Sequence, residues 1–366
     1  MSPRPIPLFK VFLPPREALA GPLLDTLYGG QITEGPKAAE FEHRFGAAIG
    51  NANVLGFYCG TAALHVALLL AGVQPGDEVV STAMTAEPTN MAIAQAGARV
   101  AWADVDPVNG NLSAEGIAAA ITPATKAIMV VHYGGIPAAL DAIHAVAARH
   151  GLPVIEDCAH ALGARYGGKP LGSHSPFVMF SFQAIKHMTT VDGGALAVSD
   201  PALLPKGRRL RWFGIDRALP RLEAEVAEVG WKYHMNDVTA QIGLVQLDHI
   251  EPVIARHRDN GRWFDRELAG IPGIEPARWD AKAEPSYWFY TLFADDRDGL
   301  MRRLNERGIA ASLIHRRNDE HPLFAAARHA LPGLDAFHAR VLHIPCGWWV
   351  DDEDRERIAA TIREGW

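Results

Sequence analysis

The sequence predicts an α/β fold: a mostly parallel central sheet with helices on both faces, followed by a smaller C-terminal α+β domain. Two observations carry this reading. From about residue 38, amphipathic helical stretches alternate with short apolar runs, the rhythm of βαβ units. After about Gly194 the alternation gives way to long helical periodicity and then to a strand–helix mixture. The boundary is placed near residue 250, giving a large domain over 1–250, N-terminal arm included, and a small domain over 251–366.

The elements are read in order. A helical stretch covers Ala38 to Gly50, and another opens at Thr61 and runs through Leu70. After the turn Gln74-Pro-Gly-Asp77, the run Glu78 to Ser81 reads as a buried strand. Pro88 to Ala96 is helical and Arg99 to Ala103 a strand; Ser113 to Ile121 is a helix with Ser113 as its N-cap. Lys126 to Val131 is a strand, Ala138 to His150 a helix, and Pro153 to Glu156 another strand. Asp237 to Leu268 carries helical periodicity broken at Pro252. A strand from Tyr287, a helix over Gly299 to Arg307, a loop and a last helix near Asp351 to Arg363 complete the small domain.

Composition narrows the function. The chain has 366 residues, 48% of them apolar and 21% charged, with a formal net charge of −7. A protein that tracks nucleic-acid phosphates would be basic overall, so nucleic acid is not the expected partner. The apolar stretch around His65 to Val73 is too short to span a bilayer. The proline-rich start, Met1 to Lys10, has no signal-peptide core, and the chain reads as cytoplasmic. Cys59, Cys158 and Cys346 stand far apart, and the 16 histidines include no HExxH pattern, so neither a disulfide framework nor a metal site is expected.

Three segments carry chemistry. In Phe180-Ser-Phe-Gln-Ala-Ile-Lys186 a lysine follows a short strand, and Gly193-Gly194 comes soon after. Alone, such a lysine would read as a solvated charge. Upstream, however, Glu156-Asp157-Cys-Ala-His160 follows an apolar strand, which puts Asp157 at the carboxyl end of a parallel strand, where open α/β sheets bind ligands. Asp157 can serve as a buried cap or as the carboxylate that keeps a pyridine nitrogen protonated. Third, Cys59-Gly-Thr-Ala-Ala-Leu64 opens a helix with glycine and a hydroxyl residue, the recipe for a phosphate seat.

In order and spacing, Gly60-Thr-Ala-Ala-Leu64, Glu156-Asp157, Ser181 with Lys186, and Gly193-Gly194 resemble the DegT/StrS-type sugar aminotransferases, pyridoxal-phosphate enzymes of the aspartate-aminotransferase fold group. The likeness extends from about Ile32-Thr-Glu-Gly-Pro36 to Ile344-Pro345 and includes Tyr233-His-Met-Asn-Asp237. It implies that Lys186 binds pyridoxal 5′-phosphate covalently and shuttles protons once displaced, with pyridoxamine phosphate as the intermediate form. It also implies that Asp157 pairs with the pyridine nitrogen, that His160 stands by the ring hydroxyl, and that Ser181, Gly60 and Thr61 hold the phosphate. Asn236 would reach the phosphate of the neighbouring subunit, making a homodimer part of the site. His315, Arg316 and Arg317 fall where relatives bring substrate contacts, and guanidinium groups suit a diphosphate. The aromatic that usually stacks on the cofactor falls at Ala86, leaving Met84 or Glu87 to cover that face.

The implied reaction moves an amino group from L-glutamate to a nucleotide-linked keto-sugar, a 4-keto-6-deoxy sugar being the commonest substrate of relatives. Two alternatives stand beside it. Sugar dehydratases of the same fold carry histidine in place of the lysine, and here His187 is only its neighbour. A non-catalytic regulatory protein could retain the fold, which by itself does not settle function.

Overall fold

A computed structural model describes residues 4–366. Helices α1 (Arg16–Tyr28) and α2 (Pro36–Ile49) precede strand β1 (Val54–Phe57). Strands and helices then alternate as the pattern predicts: α3 (Gly60–Leu70), β2 (Glu78–Ser81), α4 (Glu87–Gln95), β3 (Arg99–Trp102), α5 (Ala114–Ala120), β4 (Thr125–Val131), α6 (Leu140–His150) and β5 (Val154–Asp157). Ser113 caps α5, its hydroxyl accepting from Gly116 N at 2.9 Å. A short hairpin, β6 (Arg165–Tyr166) and β7 (Lys169–Pro170), leads to β8 (Phe177–Ser181), β9 (Gly194–Val198) and α7 (Leu204–Leu210).

The central sheet has seven strands in the order β1-β9-β8-β5-β4-β2-β3. The five strands from β8 to β3 run parallel, and β9 alone is reversed, between β8 and β1. Both faces are covered, as parallel sheets require. Strand alternation sorts the side chains: Met179 and Leu196 join a core shared with α3, α4 and α6, while Val178, Phe180 and Ala195 join one shared with α2 and α8 (Asp237–Leu247). In the second core, Phe45 meets Phe180 and Phe182 edge to face at 5.2 and 5.0 Å.

Helix α9 (Ile250–Glu267) follows α8 after two residues. Pro252 does not break the helix, contrary to the reading from sequence. The break falls at Asp248–His249, and Pro252 lies in the first turn of α9, where its missing N–H has no intrahelical partner to lose. Beyond it come β10 (Ile274–Pro276), β11 (Ala283–Glu284), β12 (Tyr290–Ala294), α10 (Arg297–Glu306), α11 (Pro332–Arg340), β13 (Val341–Ile344) and α12 (Asp352–Arg363). Strands β10, β12 and β13 form an antiparallel sheet, and β11 joins the β6–β7 hairpin. A third core unites Phe264, Leu292, Leu300, Leu342 and Ile358, and Ile6 of the N-terminal arm is buried in it, bridged to Ile309.

Candidate active site

The carboxyl ends of β4, β5 and β8 and the loop after β2 converge on a cavity of about 530 Å³. Val131, Asp157, Ser181 and Thr85 mark those ends on its wall. This is the crevice that open α/β sheets offer a ligand.

One end of the cavity is an anion seat. Cys59 caps α3, its sulfur accepting from Ala62 N at 3.4 Å, and the amides of Gly60 and Thr61 belong to the first turn, which has no intrahelical acceptors. Ser181 accepts from Gln183 N at 3.4 Å, and its own O–H has no acceptor among the described residues. The glycines make this approach possible. A Cβ on Gly60 would stand 3.0 Å from Met179 Sδ and 3.2 Å from Ser181 Cβ, and one on Gly194 would stand 2.6 Å from Cys59 C and Gly60 N.

At the cavity floor, Asp157 is buried, with Oδ2 accepting from Thr89 Oγ1 at 2.8 Å and Oδ1 from Ala159 N at 2.9 Å. Burial raises its carboxyl above the usual carboxylate range, against the pull of the Ala159 amide, Thr89 and Lys186. Its neighbour Glu156 faces the other side of β5, where it accepts from His132 Nε2 at 2.8 Å. His132 Nδ1 accepts from Ala138 N at 3.0 Å, so both ring nitrogens are engaged, while Glu156 Oε1 is buried without a partner.

Lys186 opens on the cavity with its side chain half-buried. Burial pushes that amine down to about 7, with Asp157 pulling the other way, so near neutral pH a large fraction is uncharged and nucleophilic. Nζ lies 3.8 Å from the centre of a Trp288 ring. Trp288 stacks on His160 at 3.9 Å and 16°, and His160 lies parallel to His315 at 5.4 Å and 2°. Both imidazoles line the cavity, and His160 Nδ1 and His315 Nε2 are buried without a partner. Burial holds His160 well below its usual range and His315 at about 3, so both rings are neutral.

The cavity thus gathers Gly60, Thr61, Asp157, His160, Ser181, Lys186 and His315. Ala86 also lines it, with Glu87 beside it, while Met84 is buried away from the cavity. Asn236, Arg316 and Arg317 are not brought there by the single chain. Asn236 caps α8, accepting from Thr239 N at 2.9 Å. Arg316 is exposed and pairs with Glu320 at 3.1 Å. Arg317 is buried and grips Asp319 through two bonds, 3.1 and 2.8 Å, with Asp335 as a further partner. His187, the lysine's neighbour, turns away: its Nε2 donates to Ser286 O at 3.1 Å and its ring packs on His257. Trp288 and Thr89 were not anticipated. Nothing in Ser286-Tyr-Trp-Phe-Tyr290 tells which aromatic faces the cavity.

Residues 16–363 match the model of the DegT/DnrJ/EryC1/StrS aminotransferase family. Among solved structures, the chain is similar to the sugar aminotransferase CalS13 from Micromonospora echinospora, at 42% identity and a TM-score of 0.95, over 99% of this chain and 100% of that one. It is equally similar to AtS13 from Actinomadura melliaura, at 42% identity and a TM-score of 0.96 over the whole of both chains. Spr1654 from Streptococcus pneumoniae, solved in a PMP-form, matches at 26% identity and a TM-score of 0.91, over 99% of this chain and 97% of that one.

Proposed function

Because the chain belongs to the DegT/DnrJ/EryC1/StrS aminotransferase family and is a pyridoxal-phosphate-dependent transaminase, we propose that it carries an amino group from L-glutamate to a keto-sugar linked to a nucleoside diphosphate. The observation that supports this most is the single cavity in which a half-buried lysine amine, a buried carboxylate and an open anion seat meet.

The residues fit the cofactor. The free first-turn amides of Gly60 and Thr61 and the free Ser181 O–H suit its phosphate. Asp157, short of a cation, suits its ring nitrogen, and the orphaned His160 Nδ1 suits its ring hydroxyl. Lys186 would hold it through the amine. When bound, the cofactor supplies the carbonyl that takes up the amino group and the ring that delocalises the electrons released. The chain's part is to orient and to move protons. Lys186 Nζ, poised near neutrality, would remove a proton from the donor's carbon in the first half-reaction and deliver one to the acceptor's carbon in the second, a role typically worth 10²–10⁴-fold. Asp157 stays charged beside the cation it gains. His315, neutral and unpartnered, gives the sugar a hydrogen-bonding wall.

Two assignments reach beyond the single chain's cavity. Asn236 of a second copy would complete the phosphate seat in a homodimer, and Arg316, exposed beside His315, would meet the diphosphate. Arg317 is committed to Asp319 and Asp335 and is left out. The dehydratase reading is disfavoured by His187, which is turned from the cavity while Lys186 lines it. No described helix is long and apolar enough to cross a membrane, and we assign the enzyme to the cytoplasm. The test is incubation with L-glutamate and a panel of nucleoside-diphosphate keto-sugars, 4-keto-6-deoxy forms first. Mass spectrometry should find an amino-sugar nucleotide and 2-oxoglutarate in equal amounts. A product that has lost a ring oxygen without gaining nitrogen would refute transamination.

A further inference from the structure

We propose that Trp288 is a positioning residue for Lys186. Its ring is the seat on which the lysine amine rests whenever that amine is not bonded to the cofactor, and its indole N–H clamps the backbone that leads into the lysine. The inference rests on Lys186 being the cofactor-binding lysine.

The position of Trp288 is set before its side chain is considered. Ser286 N donates to Gly135 O at 2.9 Å and Trp288 N to Gly134 O at 3.0 Å, so the strand leading to β12 is pinned against the loop after β4. Between them Tyr287 takes a left-handed φ of 51°, which swings its neighbour's side chain toward the cavity. The buried ring then stacks on Phe9 of the N-terminal arm at 4.6 Å and on His160 at 3.9 Å. Its Nε1–H donates to Ile185 O at 2.8 Å, one residue before Lys186. Packing on two rings and one hydrogen bond leave the indole little room to rotate.

Lys186 has the complementary need. Its side chain is half-buried, and no described oxygen lies within hydrogen-bond distance of Nζ; the nearest stabilising group is the Trp288 ring at 3.8 Å. The negative face of an indole attracts an ammonium, and more strongly once water is excluded. The other groups facing the amine are Asp157 from β5, His160 from the loop after it and His315 from the loop before α11, while His187, next along the chain, points the other way. Burial keeps the three imidazoles neutral, so Asp157 and the ring are what favour the charged amine. In a transaminase the lysine is detached while the amino group rides on the cofactor. A fixed aromatic seat would then keep Nζ within reach, able to hold a proton there and give it back.

The test reads the free lysine directly. Full-length enzyme charged with pyridoxamine 5′-phosphate is labelled with trace acetic anhydride across a pH series, and acetylation of the Lys186 peptide is followed by mass spectrometry. Losing the ring disfavours the charged form, so in Trp288→Leu the midpoint should fall by roughly 0.5–1.5 pH units. Trp288→Phe, which keeps a ring face but lacks the N–H, should fall by less. An unchanged midpoint in Trp288→Leu, or equal falls in both variants, would overturn the proposal, because only one of them retains an aromatic face. Trp288→Met gives the same comparison if the leucine variant does not fold. Borohydride reduction of the pyridoxal 5′-phosphate form separates this from the underlying assignment. An adduct on another lysine refutes Lys186 itself, while an adduct on Lys186 with an unmoved midpoint refutes only the role of Trp288.

Discussion

A carboxylate buried with two neutral hydrogen bonds is under-compensated, and Asp157 is in that position: Thr89 and the Ala159 amide serve it, and its carboxyl stays raised. An acid with a raised folded-state pKa contributes stability that is fully present below its unfolded value. That stability is lost as pH rises through the folded value. Without cofactor, the enzyme at neutral pH is therefore on the losing side of this window, and Asp157→Asn removes the loss. The variant freed of cofactor should melt no lower than wild type at neutral pH, while the loaded variant turns over about a hundredfold more slowly or worse. Calorimetry and steady-state kinetics check both halves; a clear drop in melting temperature would show the charge to be well satisfied by the protein alone. Lys186 and Asp157 were legible from sequence because each stands at a fixed offset from a recognisable strand. Thr89 and Trp288 were not, since their places depend on which way α4 and the Tyr287 backbone turn. The Arg316–Arg317 pair shows the opposite error. The resemblance and the guanidinium fork suggested a diphosphate contact, but one guanidinium was already matched within its own segment by Asp319.

Elements meet at the site through backbone approaches that only glycine permits. Gly194 opens β9 directly against the loop that starts α3, and a methyl there would press on Cys59 C and Gly60 N at 2.6 Å. Backbone cannot yield as a side chain can, so Gly194→Ala should cost about 1–3 kcal/mol of stability and weaken phosphate anchoring by displacing the α3 amides. Gly60→Ala meets the flexible Met179 thioether first, at 3.0 Å, and should cost the fold less while still disturbing Ser181. Thermal melts alongside cofactor absorbance titrations would rank the two; a Gly60 variant less stable than the Gly194 variant would contradict the reading. The paired glycines were visible in the sequence, but the reason for them was not, because the contact joins segments more than a hundred residues apart. Periodicity served the βαβ run well, since β2 to β5 are short buried runs bounded by turns. It served α1 poorly: that helix contains Pro22 and buries only Thr26, so no apolar stripe announces it. Pro252 misled for a local reason, a proline being read as a stop where it occupies a first turn.

For the molecule as a whole, two apolar side chains beside the cavity face solvent. Tyr58 and Val191 are 44% and 61% exposed, and their chain neighbours Cys59 and Asp192 line the cavity. Val191 also holds a left-handed φ of 74°, costly for a β-branched residue. Exposed apolar side chains beside a site suit cover by a second copy. Asn236 supplies a way to test whether that copy contributes chemistry. Its Oδ1 caps α8 through Thr239 N, which leaves the amide N–H free to serve a phosphate across the interface. Asn236→Asp keeps the capping oxygen and replaces the donor by a carboxylate, so α8 survives while the phosphate is repelled. Lys186→Ala abolishes the covalent site in its own subunit. Each variant alone should be nearly inactive. In a mixed dimer one site pairs a damaged lysine with a damaged asparagine, and the other has both residues intact. Equal mixing under subunit exchange should therefore restore about a quarter of wild-type activity, because half the dimers are mixed and each carries one good site. Full inactivity of the mixture, with exchange verified by mass spectrometry, would place Asn236 in its own subunit's site, and an Asn236→Asp variant fully active alone would place it outside the chemistry. An active monomer at assay concentration would refute the shared site outright.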